Sequence, residues 1–293
     1  MQSLCHATSR TLSFLLVALL ALAPGIETRA EEPFAIVPRD DSTRVLVNTA
    51  SPIGRIELWV PEAIMSERGA CAIYPTGAPW RRVDGAWEQN IDTPQSYGPG
   101  NYTRVGDEIE CVGVKFPADS PVSWRTRLTP GLRRMEFEIR LRNTGTTKIR
   151  RAGAAVCIKF LDADWWSDES ALALSGGEST SLAKLGRDAG DNRFEAYLLR
   201  DEKFANPFYI KFWGFNRRRL DRAILVSEHR AAKCFAIASA ERAYCMLSNR
   251  VNPCTDMMLA FGDIEPGAEA TSSGFISIES GPAAQFLAQQ VKQ

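Results

Sequence analysis

The chain has 293 residues, 35 basic and 35 acidic side chains, two histidines and no net formal charge. Balanced charge gives no long-range field to gather nucleic acid or an anionic membrane, so partners must be recognised by local chemistry. A chain of this size can bury a core large enough not to depend on disulfides.

The first thirty residues read as a secretory signal peptide. Arg10 gives a weakly basic start, Leu12–Leu22 is an apolar run, Pro24-Gly25 ends it, and Thr28-Arg29-Ala30 supplies small residues at a cleavage site. The run is shorter than the roughly 20 residues a membrane span needs, and no later segment is apolar enough to span. Cys5 precedes the run, where no lipoprotein cysteine sits. The mature chain is expected to begin near Glu31 and to be exported, to the periplasm or the exterior. Removing Arg10, Arg29 and Glu27 with the leader leaves 33 basic and 34 acidic residues. Six cysteines remain: Cys71, Cys111, Cys157, Cys234, Cys245 and Cys254. An oxidising compartment favours disulfides, and Cys245 and Cys254 are close enough in sequence to bridge neighbouring strands. Cys157 and Cys234 lie in apolar runs and read as buried thiols. No pair has the CxxC spacing of a zinc ribbon.

In chain order, Phe34–Val37 and Thr43–Asn48 read as short strands around a turn at Pro38–Asp41. Ile53–Val60 alternates apolar and polar residues, and Pro61, with no N–H, is expected to stop its ladder. Arg68–Tyr74 is a further short strand. Pro75–Thr103 then reads as a long loop carrying Trp80, Trp87, Tyr97 and Tyr102. Such loops are often functional, or they wrap a sandwich with the aromatic rings as plugs. Glu108–Phe116 and Val122–Thr129 are strand-like. Met135–Leu161 follows, with Met135, Phe137, Ile139 and Leu141 alternating against Glu136, Glu138, Arg140 and Arg142. Strict alternation means one buried and one solvated face. Asn143-Thr144-Gly145 breaks the run, so it reads as a long β-hairpin. An acidic, aromatic loop closes it: Asp162-Ala-Asp-Trp-Trp-Ser-Asp-Glu169.

Gly176–Arg193 is polar and without period, a connection or lid. Phe194–Leu199, Phe208–Gly214, Ala223–Val226, Lys233–Ala238, Ala243–Leu247, Asp256–Phe261 and Ala270–Ile278 resume strands. Pro282–Val291 is the one convincing helix. More than a dozen short strands with frequent turn signals indicate an all-β fold, a large antiparallel two-sheet sandwich with one short C-terminal helix. No linker cuts the mature chain, so residues 31–293 are expected to form one domain.

Two stretches carry a family resemblance. One runs from Glu138-Ile-Arg-Leu-Arg-Asn-Thr-Gly into Ala155-Val-Cys-Ile. The other is Ser248-Asn-Arg-Val-Asn-Pro-Cys254, followed by Phe261-Gly-Asp-Ile-Glu-Pro-Gly267 and Ser273-Gly-Phe-Ile-Ser-Ile278. Over its second half the chain resembles secreted bacterial proteins of the galactose-mutarotase-like β-supersandwich. That resemblance implies carbohydrate as the ligand class. Such sequences carry a His shortly after Asn-Pro-Cys, and here Thr255-Asp256 stand instead.

Mutarotase chemistry needs a His acid and a carboxylate base across a pyranose. The mature chain has one His, His229, in a turn-like Ser227-Glu-His-Arg230. A Ser-His-Asp arrangement or a His-rich metal site has no support on the same ground. The best carboxylate cluster is the Asp162–Glu169 loop. Asp162, Asp164 and Asp168 could serve a glycosidase pair or a Ca²⁺ ion, with Trp165 and Trp166 stacked on sugar. The plainer alternative is a solvated loop whose tryptophans cover the sandwich edge. A Ca²⁺ loop usually carries a turn-making Gly, and none is here, so no metal is expected and no cofactor. Trp213 and Arg217, in Lys211-Phe-Trp-Gly-Phe-Asn-Arg-Arg-Arg-Leu220, could bind an acidic sugar through the bidentate Arg fork, or form a solvated hairpin tip. Trp87 and Tyr97 complete the candidate ligand contacts. Asn101-Tyr-Thr103 is a glycosylation sequon.

Three functions follow. The preferred one is an exported carbohydrate-binding sandwich without catalysis. The second is a polysaccharide-active hydrolase or lyase using Asp162–Glu169. The third is an envelope structural or interaction protein whose tryptophans are core.

Overall fold

The computed structural model describes residues 34–39, 42–67, 69–72, 79–91, 122–186, 194–207, 214–249 and 253–291. In chain order the strands are β1 Ala35–Pro38, β2 Arg44–Asn48, β3 Arg55–Ser66, β4 Gly69–Ala72, β5 Arg81–Val83, β6 Ala86–Ile91, β7 Val122–Pro130, β8 Arg134–Asn143 and β9 Ile149–Phe160. They continue as β10 Ala171–Ser175, β11 Glu178–Ser181, β12 Phe194–Leu198, β13 Gly214–Phe215, β14 Ile224–His229, β15 Cys234–Ala240, β16 Ala243–Asn249, β17 Cys254–Ile264 and β18 Glu269–Ser280. Helix α1, Leu182–Leu185, follows β11, and helix α2, Ala283–Gln290, follows β18. The signal-peptide segment, the Glu108–Phe116 strand, the sequon, Tyr97, Cys111 and Trp213 lie outside the described residues.

The strands form two nine-stranded sheets. Sheet A runs β1-β2-β3-β9-β17-β16-β12-β13, with β4 also paired to β3. Sheet B runs β11-β10-β14-β15-β18-β8-β7-β6-β5. Ladders are antiparallel except β12–β13 and the Leu199–Leu220 bridge. This is the expected all-β two-sheet sandwich, with α2 as its C-terminal helix. Among the described residues no helix is long and apolar enough to cross a membrane.

Met135–Leu161 is not a hairpin. The strand β8 pairs with β7 and β18 in sheet B, whereas β9 pairs with β3 and β17 in sheet A. The chain arches from one sheet to the other at Asn143. That side chain is fully buried. Its amide donates to the Thr147 carbonyl at 2.7 Å and the Ile264 carbonyl at 3.0 Å, and its Oδ1 accepts from Gly145 N at 3.0 Å. The arch turns the apolar side of β8 (Met135, Phe137, Ile139, Leu141) toward that of β9 (Ala154, Val156, Ile158, Phe160), and both sets sit in one core. Burying each large aliphatic side chain there contributes about 1.5–3 kcal/mol. At Gly274, opposite Phe137, an added Cβ would stand 2.3 Å from the Phe137 ring, so this strand position admits no side chain.

Three smaller expectations also change. Pro61 does not end β3. The register slips between Trp59 and Ala63, and the strand runs on to Ser66 past a bulge that absorbs the missing N–H. Trp87 is not in a loop but on β6, because Arg81–Val83 and Ala86–Ile91 form a hairpin that extends sheet B. Part of the polar 176–193 stretch is ordered as β11 and the single turn α1, where the Ser181 hydroxyl accepts from Lys184 N at 3.2 Å.

Candidate functional site

The loop after β9 divides its acidic residues among separate tasks. Asp162 accepts from Arg55 N at 2.9 Å, Arg55 Nε at 3.0 Å and Arg55 Nη2 at 2.7 Å. These bonds, the side-chain ones first, hold its carboxyl down at about 2. Asp164 and Glu169 are exposed, and Asp168 is buried. Trp165 stacks on His229 at 5.2 Å and meets Phe160 in a T-shaped contact at 5.3 Å. Trp165 and Trp166 are half-buried and pack against the core, and their indole nitrogens are buried without a hydrogen-bond partner. His229, expected in a turn, ends β14 and is half-buried under Trp165.

The other candidates stand apart. Trp87, half-buried, lies near one edge of sheet B with the Arg82 guanidinium 5.5 Å from its ring. Arg217 is exposed in the turn after β13, at an edge of sheet A. Its neighbours hold backbone: Arg218 donates to the Lys184 carbonyl at 3.2 Å, and Arg219 to the carbonyls of Leu199 and Glu202.

Cys245 and Cys254 are not bridged, and both are free, as are Cys157 and Cys234. The β16–β17 register pairs Cys245 with Met258 and Cys254 with Asn249. Four residues of ladder, roughly 13 Å at about 3.4 Å each, separate them, and a disulfide needs Cα atoms within about 7 Å.

Two other places concentrate chemistry. The first is an open groove on the outer face of sheet B that reaches sheet A at Ala243, Tyr244 and Ala260. Helix α2 covers part of that face, packing Ala283 and Leu287 on Leu172, Leu174, Val226 and Phe235. Beside the helix lies a cavity of about 760 Å³, and a second of about 520 Å³ adjoins it through Arg134, Ser239, Glu241 and Phe275. The Phe275 ring is half-buried in the wall, with the Arg134 guanidinium 3.7 Å from its centroid. Arg200, Glu202, Asp221 and Arg242 line the far end. The alternation of β18 builds this wall: Ile276 and Ile278 enter the core, so Phe275 and Ser277 face outward.

The second place is the face of sheet A turned away from sheet B. Here β3, β9 and β17 are neighbours, and Cys157 pairs with Asp256 on one side and Trp59 on the other. Val156, Ile158 and Met257 point to the core between the sheets. Cys157, Cys254 and Asp256 therefore share the opposite face, with Ala155 and Met258 beside them. All three are buried, at 7%, 3% and 4% exposure, and their sulfur and carboxylate atoms lie within 4.8 Å of one another. The bulge sets Val60, Pro61 and Glu62 against Val156 alone, and half-buried Glu62 feels the Asp256 charge. Burial, then the Asp256 charge, pushes the Glu62 carboxyl well up. Burial also raises Asp256, against hydrogen bonds from the Cys157 and Cys254 thiols that lower it. The Cys254 contact, then burial, then Asp256 push Cys157 well up. For Cys254 the Cys157 contact pulls down, but burial and the Asp256 and Glu62 charges prevail and leave it at about 12. The sequence shows Cys-x-Asp at 254–256, two polar side chains on one face of an otherwise apolar strand. That was the available signal. The partners on β3 and β9 emerge only from the register.

No family model matches the chain, and no curated protein matches it. The chain is similar to solved galactose-mutarotase-like structures. A galactose mutarotase related enzyme from Lactobacillus acidophilus is 7% identical, with 86% of this chain and 99% of that one covered at a TM-score of 0.45. The GalM/aldose epimerase homologue from C. elegans is 8% identical, with 86% and 100% covered at 0.47. A galactose mutarotase-like protein from Lactobacillus casei is 9% identical, with 84% and 100% covered at 0.40. At these identities the likeness says nothing of substrate or chemistry.

Proposed function

We propose that this is an exported carbohydrate-binding sandwich protein that holds a glycan without cleaving it. Its ligand face is the groove over Phe275. One observation carries the reading: a ring on an open sheet face, bordered by Arg134, Arg200, Arg242, Glu202 and Glu241, within a cavity of about 760 Å³. That volume lies in the range of ordinary ligand sites, roughly 300–1,000 Å³. The Phe275 ring overlaid by the Arg134 guanidinium gives a flat platform for a pyranose, while the neighbouring Arg and Glu groups border its hydroxyl rim. Mixed charges suit a neutral glycan as well as an acidic one. Trp165 and Trp166 remain candidates at the far end of the sheet, but their packing against the core gives the groove precedence.

The test is a glycan panel offered to the purified mature chain, with each mixture assayed for new reducing or unsaturated ends. The expected result is binding with intact glycan, weakened roughly tenfold by Phe275→Ala, the effect of losing about 1.4 kcal/mol of ring contact. New chain ends would replace this reading with the hydrolase or lyase one. Absence of binding across the panel would overturn it and leave the envelope-interaction reading.

A further inference from the structure

We propose that Cys157, Cys254 and Asp256 form a structural binding site for a divalent metal ion of the zinc class, with Glu62 of the β3 bulge beside it. The site is separate from the carbohydrate groove, being on the other sheet and facing the other way. Nothing in it depends on that groove's function.

Three observations converge. The first is the donor set. Two sulfurs and a carboxylate lie within 4.8 Å of one another, on adjacent central strands, and all are buried. In a tetrahedral zinc site, with Zn–S about 2.3 Å and Zn–O about 2.0–2.2 Å, neighbouring donors stand roughly 3.4–3.8 Å apart. About 1 Å of side-chain movement closes this cluster on an ion. The second is an orphaned acceptor. Asp256 Oδ1 is buried without a hydrogen-bond partner, although a buried polar atom left unpaired costs about 1–3 kcal/mol. The third is charge. Glu62 and Asp256 bear on each other as like charges. Among the described residues, neither has a lysine or arginine partner. Lys159 is beside Cys254 in the ladder, yet it forms no ion pair with either carboxylate. A buried aspartate beside a half-buried glutamate, with no basic side chain between them, is a place a bound cation would neutralise.

The donors also select the ion. Thiolates favour zinc over calcium or magnesium, which take oxygen. Three protein donors, all buried between central strands, make the site one of the structural kind, with Glu62 or a water left to complete the tetrahedron. Binding releases the two thiol protons and any proton on Asp256, so the three donors carry three negative charges against the ion's two. A Cys157–Cys254 disulfide is the rival. It would satisfy the sulfurs but leave the buried Asp256 Oδ1 without a partner, which is why the metal is the better account.

The experiment uses the full mature chain, purified without chelator and assayed for zinc by elemental mass spectrometry. The chain is then stripped and titrated with Co²⁺. One zinc per chain, and a near-ultraviolet thiolate-to-cobalt charge-transfer band saturating at one equivalent, are expected. Cys157→Ser and Asp256→Asn should each cut zinc content at least tenfold, while Cys234→Ser on sheet B leaves it unchanged. An intact mass showing a Cys157–Cys254 disulfide, or no cobalt band in the reduced native chain, overturns the proposal. So does full zinc retention in both variants. The cobalt spectrum of the native chain decides the matter even if a variant fails to fold.

Discussion

Asp162 and Asp256 are the same residue in opposite circumstances. Asp162 stands at the exposed end of sheet A, clasped by one arginine through three hydrogen bonds, and its carboxyl is held down at about 2. Asp256 lies on a central strand of the same sheet, buried, its charge bearing on another acid, Glu62, and its carboxyl is pushed up. The first is satisfied by its own chain. The second lacks a countercharge among the described residues. Acidity in a loop therefore indicates less about function than acidity without a cation in a core. Burial makes an unmatched charge expensive, and exposure makes it cheap.

The largest effect that sharpens this contrast comes from zinc. At a hundredfold excess over its Kd, zinc should stabilise the native chain by about 2.7 kcal/mol, read as a rise in thermal midpoint. Asp256→Asn should lose most of that rise. Stripped of metal, the same variant should match the native midpoint or exceed it, because a buried charge has been removed. Asp162→Asn should respond to zinc as the native chain does. If zinc raises the Asp256 variant fully, the two aspartates differ only in burial and the contrast fails.

This difference also explains what was legible in the sequence. Alternation in Met135–Leu141 marked which residues enter the core, and every one of them does. It could not reveal that β8 and β9 belong to different sheets, since an arch and a hairpin place the same residues inward. What decides between them is the buried Asn143, whose amide binds the Ile264 carbonyl 121 residues away. The acidic loop drew attention because its carboxylates are adjacent in sequence, yet in space Asp162 belongs to Arg55. The cluster at Asp256 went unread for the converse reason. Its members come from residues 157, 254 and 256, and only strand register assembles them. Cys245 and Cys254 looked bridgeable by sequence separation, and register again sets them too far apart.

A second prediction tests the satisfied end. Gly54 has φ +80°, and an added Cβ would meet the Asp162 carboxylate at 2.7 Å. Gly54→Ala combines a strained backbone with displacement of the clasp, and should cost about 1–3 kcal/mol in urea unfolding. Gly85→Ala is the control. Its φ is +79°, but an added Cβ would meet nothing within 4 Å. Equal losses at the two glycines would mean that backbone strain alone is at work and that the Asp162 clasp adds nothing measurable.

The smallest effect is the pH dependence of that clasp. The Asp162 carboxyl sits at about 2 in the folded chain against an ordinary 3.8, so the folded state favours its ionised form. For a depressed carboxyl the stabilisation is fully present above the unfolded value and is lost as pH falls through the folded one. The window therefore lies between about pH 4 and pH 2. In chelator, the urea midpoints of the native chain and Asp162→Asn should differ at about pH 6, still differ near pH 4, and converge toward pH 2. Both partners are exposed, with 55% and 42% of their side-chain surface open, so solvent screens the pair and added salt should narrow the gap. A gap that persists unchanged to pH 2 would assign the clasp to neutral hydrogen bonds that asparagine forms poorly. The contrast with Asp256 would then rest on burial alone, without charge.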